Sequence, residues 1–322
     1  MKRMAVMTSG GDAPGMNAAI RAVVRTAMEH NVEVFGIRQA YTGLLNGDLE
    51  QLTSTEVSGI LQRGGTILQT ARCEEFRTEL GQKKGLRRLN EKGIEALIVI
   101  GGNGSLTGAL KLHELGVPVI GIPGSIDNDV YGTDMSIGVD SALNIILDAL
   151  DRLRDTATSH QRAFLIETMG RNSGYLALMS AILGGAEIVV TPERPKTFEE
   201  VASALEDAYI RGKSHAIAVI AEGAPIRTTD YMDYLNNQKA VGFEVRLTIL
   251  GHIQRGGSPS AFDRLLATRM GVHAVNMLLN GETGLMTAMQ GRKIEALPLE
   301  EAVSQLRPMN EAYFDMQRFL SR

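Results

Sequence analysis

One cysteine, Cys73, is present in 322 residues, so no disulfide can close within the chain and a reducing compartment is expected. No uninterrupted apolar run is long enough to span a bilayer. The opening residues, Met-Lys-Arg-Met-Ala-Val-Met-Thr, turn polar too early for the apolar region of a signal peptide. A cytoplasmic location without a membrane is therefore expected. Positive charge is not in excess: the formal net charge of −4 argues against general affinity for nucleic acid or acidic membranes. The six histidines form no His-x-x-x-His pair, which with a single cysteine argues against a structural zinc site. Low-complexity segments and Pro/Gly-rich linkers are also missing, so any domain boundary runs through ordinary connections.

What remains is a globular chain, 44% hydrophobic and 22% charged, long enough that two domains are expected. Short apolar runs alternate with amphipathic stretches, the pattern of βα units around a largely parallel sheet. Strands are expected at Met4–Thr8, Glu33–Ile37, Ala96–Ile100, Val119–Ile122, Ala163–Glu167, Glu187–Val190, Ala216–Ala221 and Val245–Leu250. Helices are expected at Met16–His30, Lys84–Lys92, Leu106–Leu115, Ser141–Thr158, Ser173–Leu183, Phe198–Gly212 and Phe262–Leu279. The long stretch Ser141–Thr158 suits a crossover between two α/β layers.

Glycines gather where strands hand over to helices, the edge at which open α/β sheets bind ligands. Gly10-Gly11-Asp12-Ala13-Pro14-Gly15 and Gly101-Gly102-Asn103-Gly104-Ser105 are two such loops. Bare backbone N–H groups at a helix N-terminus suit phosphate. Neither loop has a Walker A ending or Gly-x-Gly-x-x-Gly spacing, and either alone reads equally as a tight turn. A third loop, Pro123-Gly124-Ser125-Ile126-Asp127-Asn128-Asp129, adds two carboxylates. One of them can take a hydroxyl proton while the other orients a hydrated metal ion, as phosphoryl transfer requires; an Asx-rich turn is the alternative. Arg162, Arg171, Arg246, His252 and Arg255 fall at expected strand ends or in the loops that follow. A guanidinium fork matches a phosphate dianion, although a single arginine is usually solvated surface.

With these motifs in order, the chain resembles the bacterial 6-phosphofructokinase family over essentially its full length. The resemblance rests on Thr8-Ser9-Gly10-Gly11-Asp12-Ala13-Pro14-Gly15-Met16-Asn17, the run Pro123–Asp129, Met169-Gly170-Arg171 and Gly251-His252-Ile253-Gln254-Arg255-Gly256-Gly257. It implies the phosphofructokinase fold: two three-layer α/β domains with largely parallel sheets. The larger, ATP-binding domain would comprise 1–138 plus 254–308. The smaller, 139–253 plus 309–322, would carry much of the fructose 6-phosphate site.

The resemblance also implies roles. Asp127 matches the base that accepts the C1 hydroxyl proton of fructose 6-phosphate, and Arg171, Ser125 and Arg72 match residues that act on the transferring phosphoryl group. ATP would lie against Gly11, Arg72, Cys73, Gly102, Asn103, Gly104 and Ser105. The sugar phosphate would engage Ser125, Ile126, Asp127, Met169, Gly170, Arg171, Glu222, His252, Ile253, Gln254 and Arg255, with Arg162 and Arg246 reaching in from a neighbouring subunit of a homotetramer. An effector site for ADP and phosphoenolpyruvate would use Arg21, Arg25, Arg154, Gly185, Glu187, Arg211, Lys213 and His215. Mg2+ arriving with ATP would be handled by Asn103 and Asp129.

Three positions bear on rival readings. The family loop is usually Gly-Gly-Asp-Gly-Ser, and here Asn103 replaces the metal-binding aspartate, which implies slower turnover. The same change is the one support for a non-catalytic regulatory paralogue; the presence of Asp127 and Arg171 opposes it. In the pyrophosphate-dependent branch, aspartate and lysine usually stand where this chain has Gly104 and Gly124, so ATP is the expected donor.

Overall fold

The computed structural model of the chain describes residues 1–237 and 241–321. From the N-terminus, β1 (Arg3–Ser9), α1 (Met16–Glu29), β2 (Glu33–Ile37), α2 (Ala40–Asn46) and β3 (Leu49–Leu52) lead to α3 (Glu79–Glu91), β4 (Ala96–Gly101), α4 (Asn103–Glu114) and β5 (Val119–Pro123). Then follow α5 (Val139–His160), β6 (Arg162–Thr168), α6 (Tyr175–Leu183), β7 (Ile188–Val190), α7 (Phe198–Ile210), β8 (Ala216–Ala221), α8 (Thr228–Asn237) and β9 (Glu244–Ile249). Last come α9 (Ala261–Leu279), β10 (Leu285–Gln290), β11 (Lys293–Pro298), α10 (Leu299–Ser304) and α11 (Glu311–Leu320). These elements form two compact units, one of Met1–Ser141 with Arg255–Arg307, the other of Ala142–Gln254 with the residues from Pro308 onward.

The first unit is built on a seven-stranded sheet in the order β11-β10-β5-β4-β1-β2-β3. Its interior strands are parallel, and β3 and β11 close the edges antiparallel. Every residue of β4, Ala-Leu-Ile-Val-Ile-Gly, is buried, as a strand covered on both faces requires. Ala5, Met7, Leu97 and Val99 pack with α2, α4 and α10. Helices α1 and α9 pack on each other and against strands β1 and β5. Gly271 permits their close crossing, since a Cβ there would stand 2.7 Å from the Cβ of Ala22.

The start of α5 is capped from α9. Asp263 accepts hydrogen bonds from the backbone N–H of Gly138 (2.9 Å) and from the N–H and hydroxyl of Ser141 (2.8 and 2.6 Å). These partners satisfy donors that a helix N-terminus leaves open. In return, Ser260, which caps α9, donates to Asp140 at 2.5 Å.

The second unit holds a four-stranded, all-parallel sheet, β7-β8-β6-β9. One face, including Leu165, Val190, Ala218 and Val245, packs with Val201 and Leu205 of α7 and Tyr231 and Leu235 of α8. Helix α6 lies against β6, β7 and β8. Among the described residues, no helix is long and apolar enough to cross a membrane.

All eight expected strands and all seven expected helices are present among the described residues, most with shifted ends. Three strands (β3, β10, β11) and four helices (α2, α8, α10, α11) were not expected. The most consequential shift is in α4, expected from Leu106 but starting at Asn103. The glycine-rich run reads as loop, yet Gly102 is extended (φ −88°, ψ −170°) and serves as the N-cap. Asn103, Gly104 and Ser105 therefore form the first helical turn.

Candidate active site

In the first unit, three loops leave the carboxyl ends of β1, β4 and β5, neighbours in the sheet. Gly10 (φ 86°) and Gly15 (φ 111°) take backbone conformations that favour glycine. Gly11 is needed for space: a Cβ there would lie 2.5 Å from Nη1 of Arg255, so that guanidinium rests on the loop backbone. The Nε of Arg255 is buried with no hydrogen-bond partner among the described residues.

At α4 the N–H groups of Ser105 and Leu106 both turn to the carbonyl of Gly102, at 2.9 and 3.0 Å. The earlier N–H groups of such a helix have no intrahelical acceptor. Around Gly104 a Cβ would meet nothing within 4 Å. From the opposite side, the buried Tyr41 hydroxyl donates to the carbonyl of Ser105 at 2.6 Å and holds the turn. Burial pushes the Tyr41 phenol far above its ordinary value, so it stays a donor.

The acidic loop is pinned at several points. Gly124 N–H donates to Gly101 O at 3.0 Å and Ser125 N–H to Ile137 O at 3.1 Å. Asp127 is buried, and its N–H donates to the Ser125 hydroxyl oxygen at 3.3 Å. Asn128, left-handed at φ 50°, accepts from Ser136 N–H at 3.0 Å and donates to Asp134 O at 3.2 Å, fixing the turn between the two aspartates. The Asp129 carbonyl accepts from Arg307 N–H at 3.1 Å and from the Asn103 side-chain amide at 3.3 Å. That leaves Oδ1 of Asn103 buried and without a hydrogen-bond partner among the described residues. Arg72 is exposed, with its carbonyl accepting from Thr42 at 3.3 Å, and Cys73 is half-buried against the core.

In the second unit, Glu222 at the end of β8 draws the loop after β6 towards it. Its Oε1 accepts the N–H of Gly170 at 3.2 Å and of Arg171 at 2.8 Å. Both residues have positive φ, 142° and 50°. Gly223 makes room for this turn, because a Cβ there would lie 1.7 Å from the Arg171 carbonyl oxygen. Met169 N–H donates to Gln254 at 3.2 Å, while Gln254 donates to Gly251 O at 2.9 Å. This bridge holds the short turn that exposes His252 and Ile253.

Arg162 and Arg246 are placed elsewhere. Arg162 opens β6 and Arg246 lies two residues after its register partner, Glu244. Both stand towards the amino edge of the parallel sheet, whereas Met169–Arg171 follow the carboxyl end of β6. Strand β6, Arg162–Thr168, spans roughly 20 Å at about 3.3 Å per residue, so these two arginines and Met169–Arg171 stand at opposite edges of the sheet. Glu244 joins the pair, its Oε2 accepting from Arg162 Nε at 2.7 Å and its Oε1 from Arg246. Glu244 escaped the sequence reading, although its two-residue spacing from Arg246 on a strand places both on one face.

A separate cluster in the second unit gathers effector-site candidates. Glu187 is buried and accepts from Ile217 N–H at 2.5 Å and from Lys213 at 3.0 Å. Arg154 donates to the Gly184 carbonyl beside Gly185, and His215 lies 3.0 Å from the Thr158 hydroxyl. Burial lowers the His215 pKa below its ordinary value. Arg211 caps the C-terminus of α7, and Arg21 and Arg25 stand one turn apart on α1 of the first unit.

A family profile described as Phosphofructokinase matches residues 3–278. The chain is 50% identical over 322 residues, all of both chains, to the ATP-dependent 6-phosphofructokinase of Thermotoga neapolitana. It is 54% identical over 295 residues, 91% of each chain, to the protein of that name from Halalkalibacterium halodurans. Among solved structures, phosphofructokinase from Saccharomyces cerevisiae superposes with a TM-score of 0.88 at 38% identity, over all of this chain and 48% of that one. A pyrophosphate-dependent phosphofructokinase from Marinobacter aquaeolei has a TM-score of 0.88 at 21% identity, over 99% and 91%, a likeness of fold alone.

Proposed function

The chain belongs to the phosphofructokinase family, and from that premise we propose that it transfers the γ-phosphoryl group of ATP to the C1 hydroxyl of fructose 6-phosphate. The observation that carries this reading is the joining, within one unit, of the glycine-rich turn of α4 to the loop that buries Asp127. The donor phosphates lie on Gly11 and on the turn Gly102–Ser105, with Arg72 and Cys73 beside the nucleotide. Open space at Gly104 admits the rest of ATP, which supports ATP over pyrophosphate.

Asp127 takes the hydroxyl proton as oxygen attacks phosphorus. The hydrogen bonds that Asn128 makes to Ser136 and Asp134 hold the loop that carries it in place. Arg171, Ser125 and Arg72 offset charge on the transferring group, whose loose transition state asks mainly for positioning and neutralisation. Met169, Gly170, Glu222, His252, Ile253 and Gln254 hold the sugar phosphate, and Ile126 and Arg255 are assigned to it as well. Arg162 and Arg246 come from a neighbouring copy in a homotetramer; their place at the amino edge of their own sheet supports this.

Mg2+ suits an oxygen donor set such as Asn103 Oδ1 and the Asp129 carboxylate, and the unsatisfied Oδ1 of Asn103 fits a metal-bound water. When bound, the ion neutralises phosphate charge. Asn103 supplies a dipole where a carboxylate would supply a charge, so turnover is slow. ADP and phosphoenolpyruvate act at the cluster around Glu187, in a cytoplasmic enzyme. A coupled assay of purified protein with ATP, Mg2+ and fructose 6-phosphate tests the reading. Turnover with ATP and none with pyrophosphate is expected. No turnover with ATP, or comparable turnover with pyrophosphate, overturns it.

A further inference from the structure

We propose that Glu244 is a positioning residue for sugar-phosphate binding, preassembling Arg162 and Arg246 into one phosphate-holding pair. The inference rests on the assignment of those two arginines to the phosphate of fructose 6-phosphate. Parallel register pairs Arg162 with Glu244 on adjacent strands, and Arg246 follows two residues later on the same face. The two carboxylate oxygens divide between them, Oε2 taking Arg162 Nε at 2.7 Å and Oε1 taking Arg246 Nη2.

A guanidinium carries five N–H donors in a planar fork. Each arginine gives one of them to Glu244, so the remaining donors stay available to a phosphate dianion. The triad keeps a net charge of +1, the sum of two guanidiniums and one carboxylate. All three side chains are solvent-accessible, and without Glu244 both long arginines would have to be ordered when the phosphate binds. Immobilising such side chains opposes association, and a ready-made partner reduces that cost.

A carboxylate beside two arginines could instead act as an internal rival for them. The two roles predict opposite signs. A rival, once removed, leaves a more cationic pair and tighter binding of the sugar phosphate. A positioning residue, once removed, leaves two disordered arginines and weaker binding.

The experiment measures KM and kcat for Glu244→Ala, Glu244→Gln, Arg162→Ala, Arg246→Ala, the Arg162→Ala/Arg246→Ala double variant and the triple variant, with calorimetric Kd for fructose 6-phosphate alone. Glu244→Ala is expected to raise KM and Kd about five- to twentyfold with kcat within about twofold. Glu244→Gln keeps one acceptor and should fall between Ala and the parent. Adding Glu244→Ala to the Arg162→Ala/Arg246→Ala pair should change KM no further, because the effect runs through the arginines. Unaltered thermal unfolding of Glu244→Ala shows that folding is intact. A lower or unchanged KM in Glu244→Ala, or a further rise in the triple variant, overturns the inference. If neither arginine substitution raises KM, the assignment of the sugar-phosphate site fails instead.

Discussion

The side-chain amide of Asn103 donates to the backbone carbonyl of Asp129 at 3.3 Å and ties the first turn of α4 to the acidic loop. A carboxylate at position 103 could not make that bond, since it has no donor. The amide therefore gains a structural tie and gives up the charge that a carboxylate would bring to the proposed nucleotide site.

Asn103→Asp should raise kcat by roughly 10–100-fold, the range seen for outer-shell partners of a metal, and lower the Mg2+ concentration needed for half-maximal rate. It should also lower the thermal midpoint slightly, because the Asp129 carbonyl loses a donor. A magnesium titration of both proteins at saturating substrates checks this. Coincident curves would show that position 103 does not handle the metal.

Glu222 governs Arg171 through the backbone, its Oε1 accepting from Gly170 and Arg171. Glu222→Ala should release that turn and lower kcat by up to about a hundredfold, as a misplacement near 1 Å can, besides raising KM for fructose 6-phosphate. Glu222→Gln retains an oxygen acceptor and should keep most of kcat. Equal losses in both variants would mean that charge, and not the positioning of Arg171, is what Glu222 contributes.

Asp263 links stability to pH. Burial pushes its carboxyl up to about 6, against the hydrogen bonds from Ser141 and Gly138. The folded value lies above the ordinary value near 4, so the unfolded chain loses this proton first as pH rises. The contribution is present at low pH and is lost as pH climbs through about 6. Unfolding of the parent and Asp263→Asn, compared between pH 4 and 7, should show the parent's relative stability falling by about 1–3 kcal/mol. A difference that stays constant across this range would place the titration elsewhere.

Much of the fold was legible because central strands buried on both faces are unbroken apolar runs. Glu33–Ile37 and Ala216–Ala221 coincide with β2 and β8 to the residue. β3 was not legible: Leu-Glu-Gln-Leu is a short edge strand, half of it polar. Helix α2 opens on two residues of positive φ, its N-cap Gln39 and its first residue Ala40, and contains Gly43, so local propensity argues against it. In the site, glycine loops and aspartates could be read because each is local in the chain. Asp263 could not, since its partner Ser141 lies 122 residues away. The separation of Arg162 and Arg246 from the carboxyl-edge residues became visible only with strand direction and register in hand.

The most direct test is kcat of Asp127→Asn, measured with ATP, Mg2+ and fructose 6-phosphate at saturation. Amide and carboxylate have nearly the same shape, so the loop held by Asn128 should persist and both substrates should still bind. Loss of the base alone should lower kcat by about 10²–10⁴-fold. A kcat near that of the parent would contradict the assignment of Asp127 as the residue that takes the hydroxyl proton.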